Sequence, residues 1–535
     1  MVVSRGADIA PTASRPERMK QQVPAHRRHR MSQGRRTGVW LASQAHHFRK
    51  FIEGLVYAVL TPLLLDDLGV AGYGVLGLAW ALTAVWELLG TGLRRGYPTL
   101  LEELARKGQR AEAASLRAAT IQAAIGPGLI GLAVAMVFGI VTGSILTAPG
   151  LVGREAAIFI SLAGLRTALY APLSIHEATN IALAVPSRRT SLSWLTLALE
   201  TGAVVATVVF DLGLLGLGGL QLVTALVIGL MHRSVSRRLL PPLGAAPEPI
   251  AEIMRSLAAK ATYHALDGLG WVLIQRIDAA LVALLVGLDQ VALYVIVAEA
   301  CLGVARFVMR MTTTLMPTMP RPGEAHDRGT LRHVFVRSLD GGLLAGGAVA
   351  VLLWAFGPAL LSRWLGVETI DQRLLYAFAG FVVVSAPVSV SWAFLDPMGF
   401  GRFRLGSSLL EAVVKVGIAA ALSVKYGAVG VAFGTVAGRV LTTAWLTPIY
   451  AARKLGIGLI GLTFGRILRL ITGIGPALAV AWLFLRFRPP TDAARLVLEV
   501  CVTLIVAVVC AFATWTLAGG RAESEPVAGR DGPTK

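Results

Sequence analysis

Charged residues are scarce in this chain: 15% of its 535 residues are Asp, Glu, Lys or Arg, against 55% that are apolar. A water-soluble globule of this length could not cover its surface with so little polarity, so part of the chain must use lipid as its solvent. Backbone N–H and C=O groups in lipid need internal partners, which leaves helical bundles or closed β-barrels. The alternating ten-residue pattern of barrel strands is missing. Runs such as Leu129 to Val141, Ala345 to Leu360 and Leu496 to Ala513 are apolar on every face and read as spanning helices. Cysteine is nearly absent too: Cys301, Cys501 and Cys510 lie inside apolar runs, without a CxxC or a His pair, so neither a disulfide nor a metal site is implied.

Acidic residues are outnumbered, giving a net charge of +19. A basic chain is attracted to nucleic acid or to anionic membranes. Here the arginines and lysines gather in the first fifty residues and in alternate short loops, the asymmetry that orients helices with basic ends in the cytoplasm. No nucleic-acid partner is expected, and no cofactor. Residues 1–38, with His26-Arg27-Arg28-His29-Arg30 and Arg35-Arg36, are expected to form a disordered basic cytoplasmic tail. The tail is too long and too basic for a signal peptide, and a full span follows it.

The expected class is an all-α, polytopic membrane protein with about fourteen transmembrane helices. Spans fall near 40–65, 71–93, 114–142, 156–180, 191–210, 213–231, 256–286, 291–316, 338–361, 374–395, 408–424, 428–450, 458–485 and 496–518. With both termini cytoplasmic, inner loops hold Arg106-Lys107, Arg188-Arg189, Arg237-Arg238, Arg402 with Arg404, and Arg453-Lys454. Outer loops are short or acidic, as at Asp66-Asp67, Asp211 and Asp289; Arg486, Arg488 and Arg495 break the rule. Val70-Ala71-Gly72-Tyr73 recurs as Val291-Ala292-Leu293-Tyr294, each copy leading through apolar residues to arginines (Arg94-Arg95; Arg306 and Arg310) and a proline (Pro98; Pro317). The repeat divides the chain into a six-helix bundle at 39–238, a cytoplasmic linker at 239–255, a second six-helix bundle at 256–454, an extra helix pair at 455–518 and a tail at 519–535. Repeated bundles of this kind commonly flank a substrate path.

Three stretches resemble a known family. Leu63 to Gly108, with LLLDDLGVAGYG and LRRGYPTLLEELARKG, looks like the opening of polysaccharide exporters in the multidrug/oligosaccharidyl-lipid/polysaccharide flippase superfamily. Gln275 to Arg321 is similar to that family's helix 7 and 8 hairpin, and Gly399 to Arg439 resembles its helix 11 and 12 pair. The resemblance implies two pseudo-symmetric bundles in the inner (cytoplasmic) membrane. It also implies movement of a polyprenyl-diphosphate-linked oligosaccharide for polysaccharide biosynthesis, such as O-antigen or lipopolysaccharide export. Its partners would be membrane lipids, a coupling cation (proton or sodium) and other polysaccharide assembly proteins.

Ionisable groups at membrane depth cost several kcal/mol unless paired or wet, so they mark a pathway. Arg49, Lys50 and Glu53 occupy the inner half of helix 1. Helix 7 carries Asp267, Arg276 and Asp278, and helix 8 carries Glu299. At 1.5 Å per residue, Arg276 and Glu299 both lie roughly 15 Å deep and can pair. Asp267 and Asp278, eleven residues apart, share one face of a continuous helix. A diphosphate crossing the membrane needs guanidinium groups in place of water. Arg49, Lys50, Arg276 and Arg306 are therefore the substrate-binding candidates, and Glu53, Asp267, Asp278 and Glu299 the coupling or charge-balancing ones.

Each has a plainer reading. Arg276 with Glu299 equally fits a buried structural pair. Glu411 and Lys415, at i and i+4, can neutralise one another, with Arg439 at similar depth. Arg94, Arg95, Arg306 and Arg310 can snorkel to lipid phosphates, and His46-His47 fits a solvated surface pair. Gly430, Gly434 and Gly438, like Gly342 and Gly346, should admit a close neighbouring helix. Pro127, Pro172, Pro387 and Pro476 should kink their spans. A cation-coupled multidrug antiporter of the same superfamily would have a more acidic, less arginine-rich cavity. A membrane-embedded glycosyltransferase or ligase would need a catalytic loop or domain, and none is present in the sequence, so no enzyme is expected.

Overall fold

A helix that fills a 30 Å hydrocarbon layer needs about twenty residues, and the apolar segments here run from 20 to 55. The computed structural model describes residues 25–145, 153–184, 186–240, 250–314, 328–366, 370–396, 398–487 and 492–524. Among them, all regular structure is helical, in fourteen elements: α1 Ala25–Arg106, α2 Arg110–Ile145, α3 Gly153–Leu183, α4 Pro186–Val209, α5 Gly213–Leu239, α6 Ile250–Gln275, α7 Ile277–Leu285, α8 Leu288–Thr314, α9 Arg328–Leu365, α10 Gln372–Leu395, α11 Gly401–Leu441, α12 Thr443–Leu455, α13 Leu459–Phe487 and α14 Ala493–Ser524. Ten segments are long and apolar enough to cross a membrane, eleven with the bent pair α6 and α7.

Among the described residues the count falls short of fourteen because α8 is not among these segments and because at two places the chain turns without interrupting its helix. Phe51–Leu88 is 38 residues, twice the length of a span, and folds back at Gly69, whose φ of 67° and ψ of 171° suit glycine. Gly401–Leu455 does the same at Gly427 (φ 58°, ψ −139°). These are the two places where the sequence implies a pair of spans. In the same way α6 and α7 meet at 49° around Arg276, dividing what reads as one helix. The N-terminal tail is shorter than expected, since α1 already begins at Ala25; residues 1–24 lie outside the described residues. So do the side chains of Lys50, His46, His47 and Arg310, and all of Pro317.

Helices α1 to α5 pack into one bundle and α6 to α12 into a second, while α13 and α14 pair with each other and lean on α9. The second arm of α1, residues 70–106, meets α6 and α8 across the seam between bundles, and α1 as a whole also touches α7 and, through Ala58 of its first arm, α9. The repeat explains the contact. Gly74 lies against the Leu288 carbonyl and Ala292, and Gly77 against Val295, so the two copies pack on each other at their first turns. Tyr73 and Tyr294, the matching tyrosines, are both buried there. Small residues permit that approach, as they do on α11, where Gly430, Gly434 and Gly438 fold onto Leu422, Ala419 and Lys415 of the helix's own first arm. Gly346 admits Val382 and Ala386 of α10.

The connections define two ends. One end carries Arg106, Lys107, Arg237, Arg238, Arg404, Arg453 and Lys454; the other carries Asp66, Asp67, Asp211 and Asp289. We call them the basic and acidic ends.

Candidate functional site in the seam between the bundles

Near mid-depth, the break between α6 and α7 brings Arg276 out of regular helix (φ −126°, ψ −24°) and aims it across to α8. Its Nη1 lies 2.6 Å from Glu299 Oε1, while Arg306, two turns further along α8, places Nη2 2.7 Å from Glu299 Oε2. Two guanidiniums thus share one carboxylate, leaving a net positive charge. These side chains keep 30% to 39% of their surface exposed, so the cluster is not sealed in packed protein. The Arg276 guanidinium also sits 5.9 Å from the centre of the Trp271 ring.

Toward the basic end, Asp267 receives one guanidinium from each bundle. Arg95 Nη1 from α1 is 3.4 Å from Asp267 Oδ2, and Arg404 Nε from α11 is 3.2 Å from Oδ1. Arg404 also holds Asp396 at the turn after α10. Burial pushes the Asp396 carboxyl above its ordinary range, and Arg404 opposes the shift. Around the Asp267 contact the seam is closed by Gly92 against the Ala261 carbonyl and Leu88 against Gly268. At the acidic end, Trp364 Nε1 donates to the Ala58 carbonyl at 2.8 Å. Ala58 is four residues before Pro62, which has no N–H to offer it. A tryptophan from the second bundle replaces the missing helical bond.

Asp278 does not belong to this set, contrary to the sequence reading. The bend at Arg276 destroys the phase relation with Asp267, and Asp278 turns into the core of the second bundle. There Lys415 Nζ lies 2.7 Å from its Oδ1, and the hydroxyls of Tyr294 (2.9 Å) and Thr435 (3.0 Å) donate to Oδ2. Lys415 is fully buried and also donates to the Ile274 carbonyl, on the last turn of α6, where the helix offers no further partner. The expected Glu411 and Lys415 pair is therefore replaced. Glu411 accepts from Arg439 Nε at 2.8 Å and from Thr443, while Arg439 donates to Ser385 and covers the Phe381 ring. The reason is the fold of α11 at Gly427, which puts Arg439 beside Glu411.

In the first bundle, Arg49 and Glu53 pair with each other at 3.0 Å, one turn apart. A feature the sequence reading missed is a narrow crevice of about 20 Å³, room for about one water, lined by Trp86, Glu87, Arg94, Pro127, Tyr170 and Ser174. Arg94 reaches Glu87 at 3.4 Å, and the Tyr170 hydroxyl donates to Glu177 at 2.7 Å. Glu87 and Glu177 are carboxylates within apolar helices, the same signal that marked Glu299, and they were available to the same argument.

No protein-family model matches the chain, and no curated protein sequence matches it. Solved structures do. A multidrug-resistance MATE family transporter of the MOP superfamily, in an inward-facing conformation, aligns over 77% of this chain and 96% of its own with a TM-score of 0.63 and 14% identity. The lipid II flippase MurJ, in an inward closed conformation, aligns over 89% of this chain and 99% of its own (TM-score 0.59, 10% identity). A MOP superfamily transporter from Pyrococcus furiosus aligns over 78% and 95% (TM-score 0.53, 14% identity). Identities this low speak to architecture, and on that ground the chain has the fold of the MOP transporters, the multidrug/oligosaccharidyl-lipid/polysaccharide flippase superfamily that its sequence resembles.

Proposed function

We propose that the chain is a membrane transporter that carries an anionic, lipid-linked glycan, a polyprenyl-diphosphate oligosaccharide, across the cytoplasmic membrane for polysaccharide assembly. The basic end faces the cytoplasm, and the two bundles rock about the seam. The observation that carries this reading is the Arg276, Glu299 and Arg306 cluster, a net cationic and partly exposed group of charges held at mid-depth by a broken helix. Guanidinium pairs match phosphate oxygens, and a diphosphate could displace Glu299 from both arginines. Arg49 in the first bundle is paired one-to-one with Glu53, and would have to exchange that partner for the phosphate to contribute. The test is flipping of a fluorescent polyprenyl-diphosphate sugar in vesicles containing the purified protein. Arg276→Ala and Arg306→Ala should each lower the initial rate by tenfold or more at normal protein level. Full rates in both variants would remove the assignment.

A second reading, a cation-coupled antiporter for cationic small molecules, is favoured by the crevice of the first bundle. Trp86, Tyr170 and Glu87 offer it aromatic faces and a carboxylate, the chemistry that receives an organic cation. A coupling proton or sodium ion would use the same carboxylates. Transport of a fluorescent cationic dye that survives Arg276→Ala but fails in Glu87→Gln would favour this reading over the first.

A further inference from the structure

We propose that Arg95 and Arg404 form a second anion subsite at the basic end of the seam, that the Asp267 carboxylate occupies it at rest, and that the phosphate of a membrane amphiphile opens the seam by taking Asp267's place. This rests on the transport reading for the orientation of the basic end and for the existence of an anionic substrate.

Asp267 accepts from Arg95 of the first bundle at 3.4 Å and from Arg404 of the second at 3.2 Å. The pair of Arg95 and Asp267 is thus an electrostatic bond between two bodies that must part for the passage to open, and Arg404 steadies the carboxylate from its own bundle. Its side chain is 10% exposed, whereas Arg95 keeps 46% and Arg404 31%. The guanidiniums face outward around a carboxylate that plugs the space between them. A ligand arriving at this end meets the two cations first. Two guanidiniums converging on one pair of oxygens present a geometry that a phosphate fits as well as a carboxylate, and with more charge. Once a phosphate binds the arginines, Asp267 loses both partners, and the closure left at this end is apolar packing: Gly92 against Ala261, Leu88 against Gly268, and Leu257 of α6 buried in one cluster with Tyr97, Leu100 and Leu101. Asp267, Arg404 and Asp396 all belong to the second bundle and Arg95 to the first, so the contact that parts on opening is Arg95 with Asp267, while Arg404 keeps its link to Asp396 and holds the phosphate on the second bundle. The Glu299 cluster repeats the arrangement deeper in the seam, again one carboxylate under two arginines, and would receive the same group next.

The test uses the full chain in phosphatidylcholine vesicles, with Cys301, Cys501 and Cys510 replaced by Ser and a reporter thiol at Leu88→Cys, facing Gly268. A membrane-impermeant thiol reagent applied at the basic end reads the opening. Asp267→Asn should raise the labelling rate tenfold or more. In the chain that keeps Asp267, farnesyl diphosphate should raise it at least threefold, farnesol should not, and Arg95→Gln/Arg404→Gln should abolish the response. As a second measurement, Leu88→Cys/Gly268→Cys should form a disulfide readily, and farnesyl diphosphate should slow its formation. Unchanged labelling in Asp267→Asn together with a disulfide rate indifferent to farnesyl diphosphate would overturn the latch. Opening by Asp267→Asn without any response to farnesyl diphosphate would overturn the anion subsite. An equal response to inorganic diphosphate would overturn the membrane-borne source. Labelling requires no translocation, so each of these failures leaves the transport reading standing. A lost flipping rate in Arg276→Ala with normal labelling bears on the mid-depth site alone.

Discussion

Replacing Lys415 with Met removes the cation from a dry ion pair in the second bundle and leaves Asp278 in place. Lys415 is fully buried, and Asp278 keeps 11% of its side-chain surface. Breaking a buried pair from one side costs about 3–5 kcal/mol, because the surviving charge has lost its compensation. Loss of the bond to the Ile274 carbonyl adds about 1 kcal/mol, for a deficit of about 4–6 kcal/mol. Lys415→Met/Asp278→Asn should recover most of the loss, since the neutral amide introduced by the second substitution would keep the Tyr294 and Thr435 hydroxyls as hydrogen-bond partners. The assay is reversible unfolding in mixed micelles for parent, single and double variants. A deficit below about 1 kcal/mol, or a double variant no more stable than the single one, would refute the dry-pair assignment.

Three further outcomes follow from single contacts. Trp364→Phe should cost about 1 kcal/mol by orphaning the Ala58 carbonyl, and Pro62→Ala in the same chain should restore it by supplying the helical N–H; a double-mutant cycle without coupling would refute the substitution of one bond for the other. Gly434→Ala should destabilise by about 1–3 kcal/mol, because its methyl meets the Ala419 backbone across the α11 turn, while Gly417→Ala, with open space around it, should be neutral or stabilising in the same unfolding assay. Glu299→Gln, which leaves Arg276 and Arg306 uncompensated but partly wet, should cost less than about 2 kcal/mol of stability while changing the apparent affinity for an anionic substrate at least threefold, measured as KM in the flipping assay.

The sequence carried the class of the fold well, because its signals are local. Apolar length and the Tyr73 and Tyr294 repeat need no knowledge of neighbours, whereas the packing of the two repeat copies on each other at the seam is visible only in the structure. The pairing of Arg276 with Glu299 was also legible, since both depths are counted from the same turn at Gly287. What failed were arguments about faces. The rule that residues eleven apart share a side assumes an unbroken helix, and neither Arg276 nor its neighbours is a Gly or Pro that would announce the 49° bend. Asp278 was placed in the passage for that reason. Glu411 and Lys415 were paired because they are close in sequence, yet the turn at Gly427 offers each a partner that is further along the chain and better placed.

Those two failures point to the property that separates structure from function among membrane charges here. Asp278 with Lys415 and Glu411 with Arg439 are one-to-one, surrounded by hydroxyls and almost without exposure, so each charge has a resident partner and nothing is left for a ligand. Glu299 and Asp267 each hold two arginines, and those arginines keep 30% or more of their surface exposed. Guanidiniums outnumber carboxylates at Glu299, where Arg276 and Arg306 share one, whereas at Asp267 the count is even because Arg404 also holds Asp396. A partly exposed excess of charge is unfavourable for stability compared with a closed pair, and under the proposed transport reading its resolution is an anion from outside. On that reading the closed pairs Asp278 with Lys415 and Glu411 with Arg439 hold the second bundle together while its edge at Arg276 and Arg306 meets an anionic cargo, as alternating access would require.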